Sequence, residues 1–571
     1  MRYLALCCDY DGTIAHHGVV DEATLAALER VRQSGRRLLL VTGRELPDLK
    51  TALPRLDLFD KVVAENGALL YTPATDEERP LADEPSQPLI ELLRERGVAP
   101  LSVGRSIVAT WRPHDVAVLQ AIQELGLELQ VIFNKGAVMI LPAGVNKASG
   151  LVAALDEIGL SARNAVGIGD AENDHAFLAL CECSVAVANA LPSLKEKADL
   201  VTTGDHGAGV AELIDELVGD DLRRRSAGLS RRLVPFADAA DGHALAVDPG
   251  RSCVLIAGTS GSGKSTVAKG LLERIAAHGY SFAVIDPEGD YEGLEAAVTL
   301  GHPQRAVGAD EAMQLFKRGE NAVLNLLGMR LHDRPAFFLE LLPRLAAQRA
   351  QTGHPHWIFI DEVHHLFPAA SQQSLESVLP QRLPAAVLVT VHPDLVAEAA
   401  LRWVDTVVVV GEQPAENLRQ LARATGRPLA LDDEDAAIER GEILFWRPDD
   451  GAGPMRARPH PTRTEHRRHT RKYVEGELPP DRCFYFRGPQ DKLNLRAQNL
   501  LMFMEMADGV GDEVWEHHFR RGDVSRWIAT GIKDDTLAEE VRRIEALADV
   551  NPQRARSLLR AAIERRYTLS A

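Results

Sequence analysis

One recurring pattern constrains the fold more than any other: a short apolar run that ends in a polar turn. Tyr3–Cys8 runs into Asp9, Leu38–Val41 into Thr42, Val254–Ala257 into Gly258, Trp357–Ile360 into Asp361, and Val387–Val391 into His392. Runs this short and this apolar read as strands buried on both faces, and the helical stretches between them make βαβ units. The fold class is therefore α/β with mostly parallel sheets. The alternation holds from Tyr3 to about Val218, breaks at the Arg-rich stretch Leu222–Leu233, and resumes from Cys253 to about Trp446. A chain of 571 residues has room for three or four domains at roughly 100–200 residues each. The boundaries expected from the pattern are 1–220, 221–455 and 456–571.

In the first domain, Asp9-Tyr10-Asp11-Gly12-Thr13 follows its strand directly. Positions two apart on an extended end share a face, so both carboxylates can address one site, and Gly12 lets the chain turn. A carboxylate attacks phosphorus once a cation offsets the repulsion between anions, and a second carboxyl protonates the leaving oxygen. Three further segments supply the rest of such a site. Thr42-Gly43-Arg44 offers a hydroxyl and free N–H groups for phosphate, Lys147 offers a cation near a helix start, and Gly169-Asp170 to Asp174 offers two carboxylates for a hard divalent ion.

This ordered set resembles the four motifs of haloacid dehalogenase (HAD) superfamily phosphatases, in particular the Cof-type subfamily that includes sucrose-phosphate and mannosyl-phosphoglycerate phosphatases. Glu65-Asn66-Gly67-Ala68 and Val187-Ala188-Asn189-Ala190 fit the same subfamily. The resemblance implies a Rossmann-like core and a Mg2+-dependent phosphomonoesterase. Asp9 would be the nucleophile that forms an aspartyl-phosphate, and Asp11 the general acid/base. Thr42, Gly43 and Lys147 would bind the phosphoryl group. Asp9, the Asp11 carbonyl and Asp170 would hold the metal, supported by Asp174. It also implies a small cap inserted at about 72–140, which selects the leaving group. Arg105, Trp111, Arg112 and Lys135 are the cap's candidates for that selection, and each reads more simply as a surface or packing residue.

Gly258-Thr259-Ser260-Gly261-Ser262-Gly263-Lys264-Ser265-Thr266 matches GxxxxGK[ST] between a strand and a helix. In such a loop the N–H groups around Gly258, Gly261, Gly263 and Thr266 wrap phosphates, Lys264 reaches the β/γ oxygens, and Ser265 meets magnesium. Asp361 suits a water-mediated metal contact, and Glu362 suits polarising an attacking water. The pair favours ATP hydrolysis over phosphorylation of a metabolite. With Asp286–Tyr291, Ile360–His364, and the strand before His392, the segment resembles HerA/FtsK-type motor ATPases, which usually form rings on DNA or peptide. That implies ATP as ligand, a homo-oligomer and a nucleic-acid partner as expectations. Arg382 and Arg402 are the candidates for an arginine finger.

The net charge of −18 argues against a surface coated by nucleic acid. The local exception is 456–472, where seven Lys/Arg and three His meet a single acid, Glu465. The tail beyond it reads as mainly helical, as in Leu493–Met506 and Thr536–Arg566, and His517 and His518 read as helix-surface residues. No apolar run approaches the roughly 20 residues of a membrane span. The N-terminus reads as a first core strand, and six scattered cysteines form no disulfide or zinc framework, so a reducing cytoplasm is expected. The function expected is hydrolysis of a sugar phosphate or similar small organophosphate, joined to an ATP-hydrolysing module. The alternative is a nucleic-acid end-processing phosphatase with an ATP-driven ring.

Overall fold

A computed structural model describes residues 1–571 apart from 226–228, 260, 292, 295, 372–378, 412–413, 432–437, 440, 463–477, 479–481, 490–492, 533, 548–549 and 567–571. It forms two units, Met1–Pro461 and Thr462–Ala571.

The first unit opens with strands β1 (Ala5–Cys8), β2 (Arg37–Val41), β3 (Lys61–Ala64), β4 (Leu69–Thr72) and β5 (Glu77–Pro80). Strands β6 (Ser102–Val103), β7 (Val108–Trp111), β8 (Leu129–Asn134) and β9 (Ala137–Pro142) make a separate antiparallel sheet, ordered β6-β7-β9-β8. Strands β10 (Ala165–Gly169), β11 (Cys183–Ala186) and β12 (Leu200–Val201) return to the first sheet, whose order is β12-β11-β10-β1-β2-β3-β4-β5. From β12 to β3 the pairing is parallel, and β4 and β5 add an antiparallel edge. β1 is wholly buried, as is β2 after its first residue, which is why both are apolar without alternation. Because β1 lies between β10 and β2, the chain leaves all three strands side by side at Asp9, Thr42 and Asp170. Open parallel sheets bind ligands at such carboxyl ends.

The cap was expected to begin at about residue 72, but β5 pairs with β4 along Glu77–Pro80 and so extends the core sheet. The separate sheet carries two helices of its own, Gln87–Glu95 and Asp115–Glu124, and a small core around Leu89, Leu93, Val118 and Ile140.

The Arg-rich break is an anchored strap rather than a free linker. Arg225 pairs with Glu212 and Glu216, Arg231 with Asp199, and Arg232 donates to the carbonyls of Ala179 and Glu182. The next sheet contains β13 (Val234–Ala239), β14 (Ala244–Val247), β15 (Cys253–Gly258), β16 (Phe282–Asp286), β17 (Val298–Leu300), β18 (Ala322–Asn325), β19 (Trp357–Ile360), β20 (Ala386–Thr390), β21 (Thr406–Val410), β22 (Ile443–Trp446) and β23 (Met455–Pro459). Its order is β14-β13-β23-β22-β21-β15-β20-β19-β16-β18-β17. β20 separates β15 from β19, so the turns after these strands converge as in the first sheet. The sheet extends past the expected limit of 455: β23 pairs with both β22 and β13. The basic stretch therefore begins as a strand, with Arg458 held by Glu439 and Glu442, and 463–472 lies outside the described residues.

The second unit is helical with one hairpin, β24 (Phe484–Phe486) and β25 (Leu495–Ala497). The expected helix over Leu493–Met506 starts only at Leu500, because the Asn499 side chain caps it by accepting from the Met502 N–H at 2.8 Å. Two helices, Asp535–Glu545 and Pro552–Arg566, follow. His518 is buried rather than on a helix surface: Nε2 accepts from the Arg487 N–H at 3.0 Å, and Nδ1 lies 2.9 Å from Asp523. Among the described residues no helix is long and apolar enough to cross a membrane, and all six cysteines are free and buried.

Candidate active sites

The first site is built where β1, β2 and β10 end. Asp9 is 4% exposed and Lys147 only 1%. Lys147 opens the helix Lys147–Glu157, whose start is fixed by a capping box between Asn146 and Ser149. Gly67, at φ +106, lets that helix approach, since a Cβ there would lie 1.9 Å from the Asn146 carbonyl oxygen. The Lys147 ammonium thereby reaches Asp9 at 2.5 Å and Asp174 at 2.6 Å. Burial alone would lower Lys147, but Asp174 and Asp9 outweigh it and hold it well above its usual value. Asp9 is itself pushed up, first by burial and then by Asp174. Asp170 is raised by burial as well.

Asp174 stands in a 3₁₀ turn, Glu172–Asp174. Its Oδ2 accepts from the Asp170 and Ala171 N–H groups, both at 2.8 Å. Thr13, four residues after Asp9, donates its hydroxyl to Asp9 at 3.1 Å and approaches Asp170 at 3.4 Å. Carboxylate oxygens of Asp9, Asp170 and Asp174 lie within 4.8 Å of one another. Oxygen ligands at this density suit a small hard divalent cation. Thr42 is 1% exposed at the end of β2, and its hydroxyl accepts from the Arg44 N–H at 3.1 Å.

Two side chains make contacts at the site that the sequence reading did not assign to them. Arg44 grips Asp11 with both arms of its guanidinium, Nε to Oδ2 at 2.7 Å and Nη2 to Oδ1 at 2.6 Å. Lys135, expected on the cap surface, projects from the turn between β8 and β9 into the site. Its ammonium lies 2.7 Å from Asp170 Oδ2 and 3.3 Å from the Asp11 carbonyl oxygen. Arg105, Trp111 and Arg112 stay outside: Arg105 faces Glu78, Trp111 is 52% exposed, and Arg112 stacks on Phe133. The cap is tied to the core by Glu65, whose carboxylate accepts from the Arg105 and Ser106 N–H groups, each at 2.9 Å.

Gly12 sits at φ +89, and a Cβ there would lie 2.3 Å from Asp170 Oδ2 and 2.6 Å from Lys135 Nζ. Gly12→Ala is therefore expected to lower phosphatase kcat/KM at least about tenfold, the kinetic equivalent of about 1.4 kcal/mol, with unchanged circular dichroism. Full activity would show that the turn tolerates a side chain.

The second site forms after β15. Gly258, Gly261 and Gly263 have φ of 156°, 77° and 102°, which shapes a loop that turns into the helix Lys264–Ala277. Lys264 and Ser265 open that helix and Thr266 follows, while Ser260 lies outside the described residues. Lys264 Nζ donates to the Thr259 carbonyl at 3.1 Å and is lowered by burial, against the pull of Glu362, Asp361, Glu288 and Asp290. Asp361 is 3% exposed at the end of β19. Glu362 is held at φ 42°, a strained value for this residue type, and burial together with Glu288 raises it to about 7. Its Oε2 is buried with no hydrogen-bond donor, 3.3 Å from His364 Nδ1. Thr390 connects His392 to this group, since its hydroxyl accepts from the His392 N–H at 3.0 Å and lies 3.0 Å from His364 Nδ1. Neither arginine-finger candidate joins the loop: Arg382 precedes β20, at the end opposite His392, and Arg402 pairs with Glu398.

Comparisons with known proteins follow the same division. A family model of haloacid dehalogenase-like hydrolases matches residues 6–111 and 119–214, and one of an AAA ATPase domain matches 198–390. The second match starts within the first core, where the helix His206–Asp220 buries Val210, Leu213, Ile214 and Leu217, so the physical boundary is the strap before β13. The phosphoglycolate phosphatase of Methanothermobacter thermautotrophicus is 32% identical over 230 residues, which is 38% of this chain and 99% of that protein. Phosphoglycolate phosphatase 2 of Saccharolobus solfataricus is 30% identical over 230 residues, covering 38% of this chain and 94% of its own. The structure of a haloacid dehalogenase-like hydrolase from Bacteroides thetaiotaomicron aligns with 38% of this chain and 99% of its own, at 20% identity and a TM-score of 0.34.

Proposed function

The chain belongs, over residues 6–214, to the haloacid dehalogenase-like hydrolases and carries an ATPase domain behind them; from this we propose that it hydrolyses a small phosphorylated carboxylate, of the class of 2-phosphoglycolate, through an aspartyl-phosphate on Asp9. The observation that carries the reading is the buried Asp9–Lys147–Asp174 ion cluster, with Asp170 alongside and a cap lysine entering from above. Oxygens of Asp9 and Asp170 and the Asp11 carbonyl would hold Mg2+, with Asp174 fixing the Asp170 turn. The ion would neutralise charge on the phosphoryl oxygens.

In the first step an Asp9 carboxylate oxygen bonds to phosphorus, the ester P–O bond breaks, and Asp11 gives its proton to the leaving oxygen. Thr42 and Lys147 hold the phosphoryl oxygens. In the second step Asp11 takes a proton from water, the hydroxide attacks phosphorus, and Asp9 is released with inorganic phosphate. Arg44 holds both Asp11 oxygens as the carboxylate, the form that takes the proton in the second step.

Lys135 would meet the substrate's carboxylate at the rim. Lys135→Ala is therefore expected to raise KM for 2-phosphoglycolate at least tenfold and to leave p-nitrophenyl phosphate, which lacks the carboxylate, within about threefold, an ion-pair loss of about 1.4 kcal/mol. Equal effects on both substrates, or none, would remove Lys135 from substrate recognition. Chelation of divalent metal by EDTA should abolish both activities.

For the ATPase domain, Lys264 and the Gly258–Thr266 loop would bind the triphosphate, Ser265 and Asp361 would hold its Mg2+, and Glu362 would be the base for water. A base at about 7 is half ionised there, so ATP turnover should climb as pH rises through 7. Glu362→Gln should flatten that profile and lower kcat. A profile unchanged in the variant would rule Glu362 out.

A further inference from the structure

Both catalytic sites lie at the carboxyl ends of their sheets. At the opposite ends, the phosphatase and ATPase domains line a half-open cleft of about 310 Å³, a size that holds a compact ligand. Asn164, just before β10, and His356, just before β19, meet across it with Oδ1 and Nε2 3.2 Å apart. Glu182 crosses the same junction by accepting the Tyr280 hydroxyl on both oxygens, each at 3.0 Å. The junction is thus built and ordered from both sides.

The wall is strongly cationic. Arg2, Arg163, Arg223, Arg251, Arg349 and Arg382 line it, against two carboxylates, Glu182 and Asp221. Those carboxylates are already engaged: Glu182 with Arg2 at 2.7 Å, and Asp221 with Arg36 at 2.9 Å. The Arg349 guanidinium donates to the carbonyls of His356 and Pro384, at 2.9 and 3.0 Å, and burial pulls it down to about 10. Arg163 Nη1 is buried without an acceptor, 3.7 Å from Glu182. Among the described residues no carboxylate pairs with Arg223, Arg349 or Arg382. Guanidinium groups with no carboxylate partner around one cleft are what bidentate binding of phosphate requires. Beside them, Tyr280, Leu342, Ala346, Ile358 and Leu383 give apolar wall for an organic body.

We propose that this cleft is a third ligand site, separate from both catalytic ones, which binds a phosphorylated small molecule through Arg349, Arg223 and Arg382. The ligand would be seated at the starts of β10 and β19, the strands that end at Asp170 and Asp361.

The test uses the full chain carrying Asp9→Asn and Lys264→Ala, which turns over neither substrate. Calorimetric titration with ADP, 2-phosphoglycolate and pyrophosphate should show one-to-one binding of at least one of them, with Kd below about 100 µM. The affinity should weaken at least tenfold on adding Arg349→Gln, and likewise on adding Arg223→Glu with Arg382→Glu. The last pair is exposed, so its fold is expected to survive, which circular dichroism checks. Binding by none of the three, or binding unchanged by Arg223→Glu with Arg382→Glu, would overturn the proposal. Preference for ADP would identify a nucleotide site, and preference for 2-phosphoglycolate a metabolite site.

Discussion

Asp9→Asn should lower phosphatase kcat at least about 10³-fold, more than 4 kcal/mol of transition-state stabilisation, while ATP turnover stays within twofold. The amide keeps the shape of the carboxyl and can still accept from Thr13, but it cannot attack phosphorus. The fold should survive, because Lys147 retains Asp174 at 2.6 Å as a buried counter-charge. Removal of the lysine is the harsher change. Lys147→Ala would leave Asp9 and Asp174 together in a buried site without their cation, which costs on the order of 3–5 kcal/mol. Its loss of activity would therefore be confounded with loss of fold, so Asp9→Asn is the informative variant.

The second large effect is expected at Lys264. Its ammonium lies among Asp361, Glu362, Glu288 and Asp290, which together draw it toward the charged form against burial. Lys264→Ala removes the cation that Asp361, Glu362, Glu288 and Asp290 draw toward its charged form. ATP turnover should fall at least about 10²-fold, roughly the loss of one preorganised charge at a phosphoryl group. Hydrolysis of p-nitrophenyl phosphate should be unaffected, because the phosphatase cluster is built from β1, β2, β10 and the helix at Lys147. An unchanged ATPase rate would mean that nucleotide is hydrolysed elsewhere in the chain.

The parts of the molecule that were legible in the sequence are those where chemistry is local. Asp9, Thr42, Asp170, Gly258 and Asp361 each follow an apolar run, and the run fixes both the strand and the end from which the chain leaves it. Parallel pairing then brings the ends together without further instruction. The contacts of Lys135 were illegible because its position depends on the β8–β9 turn reaching back over the core from another domain. Nothing near it in sequence marks it as different from Arg105 or Arg112. Arg349, Arg223 and Arg382 come from a helix, the strap and a loop, and only domain packing makes them neighbours. The start of the helix at Leu500 was misplaced because apolar residues around Leu493 and Leu495 continue its apparent periodicity, whereas the capping side chain of Asn499 ends it. The nucleic-acid expectation rested on the motor-ATPase resemblance and on 456–472. The first residues of that stretch belong to the ATPase sheet, and the remainder from 463 lies outside the described residues.

The account depends most on Asp9 carrying the phosphoryl group. The direct measurement is rapid acid quench of the wild-type chain during turnover of 2-phosphoglycolate with Mg2+, followed by peptide mass spectrometry. A phosphoryl adduct on the peptide containing Asp9, discharged by hydroxylamine and missing in Asp9→Asn, is the predicted result. An adduct on any other residue, or turnover by Asp9→Asn at the wild-type rate, would contradict it.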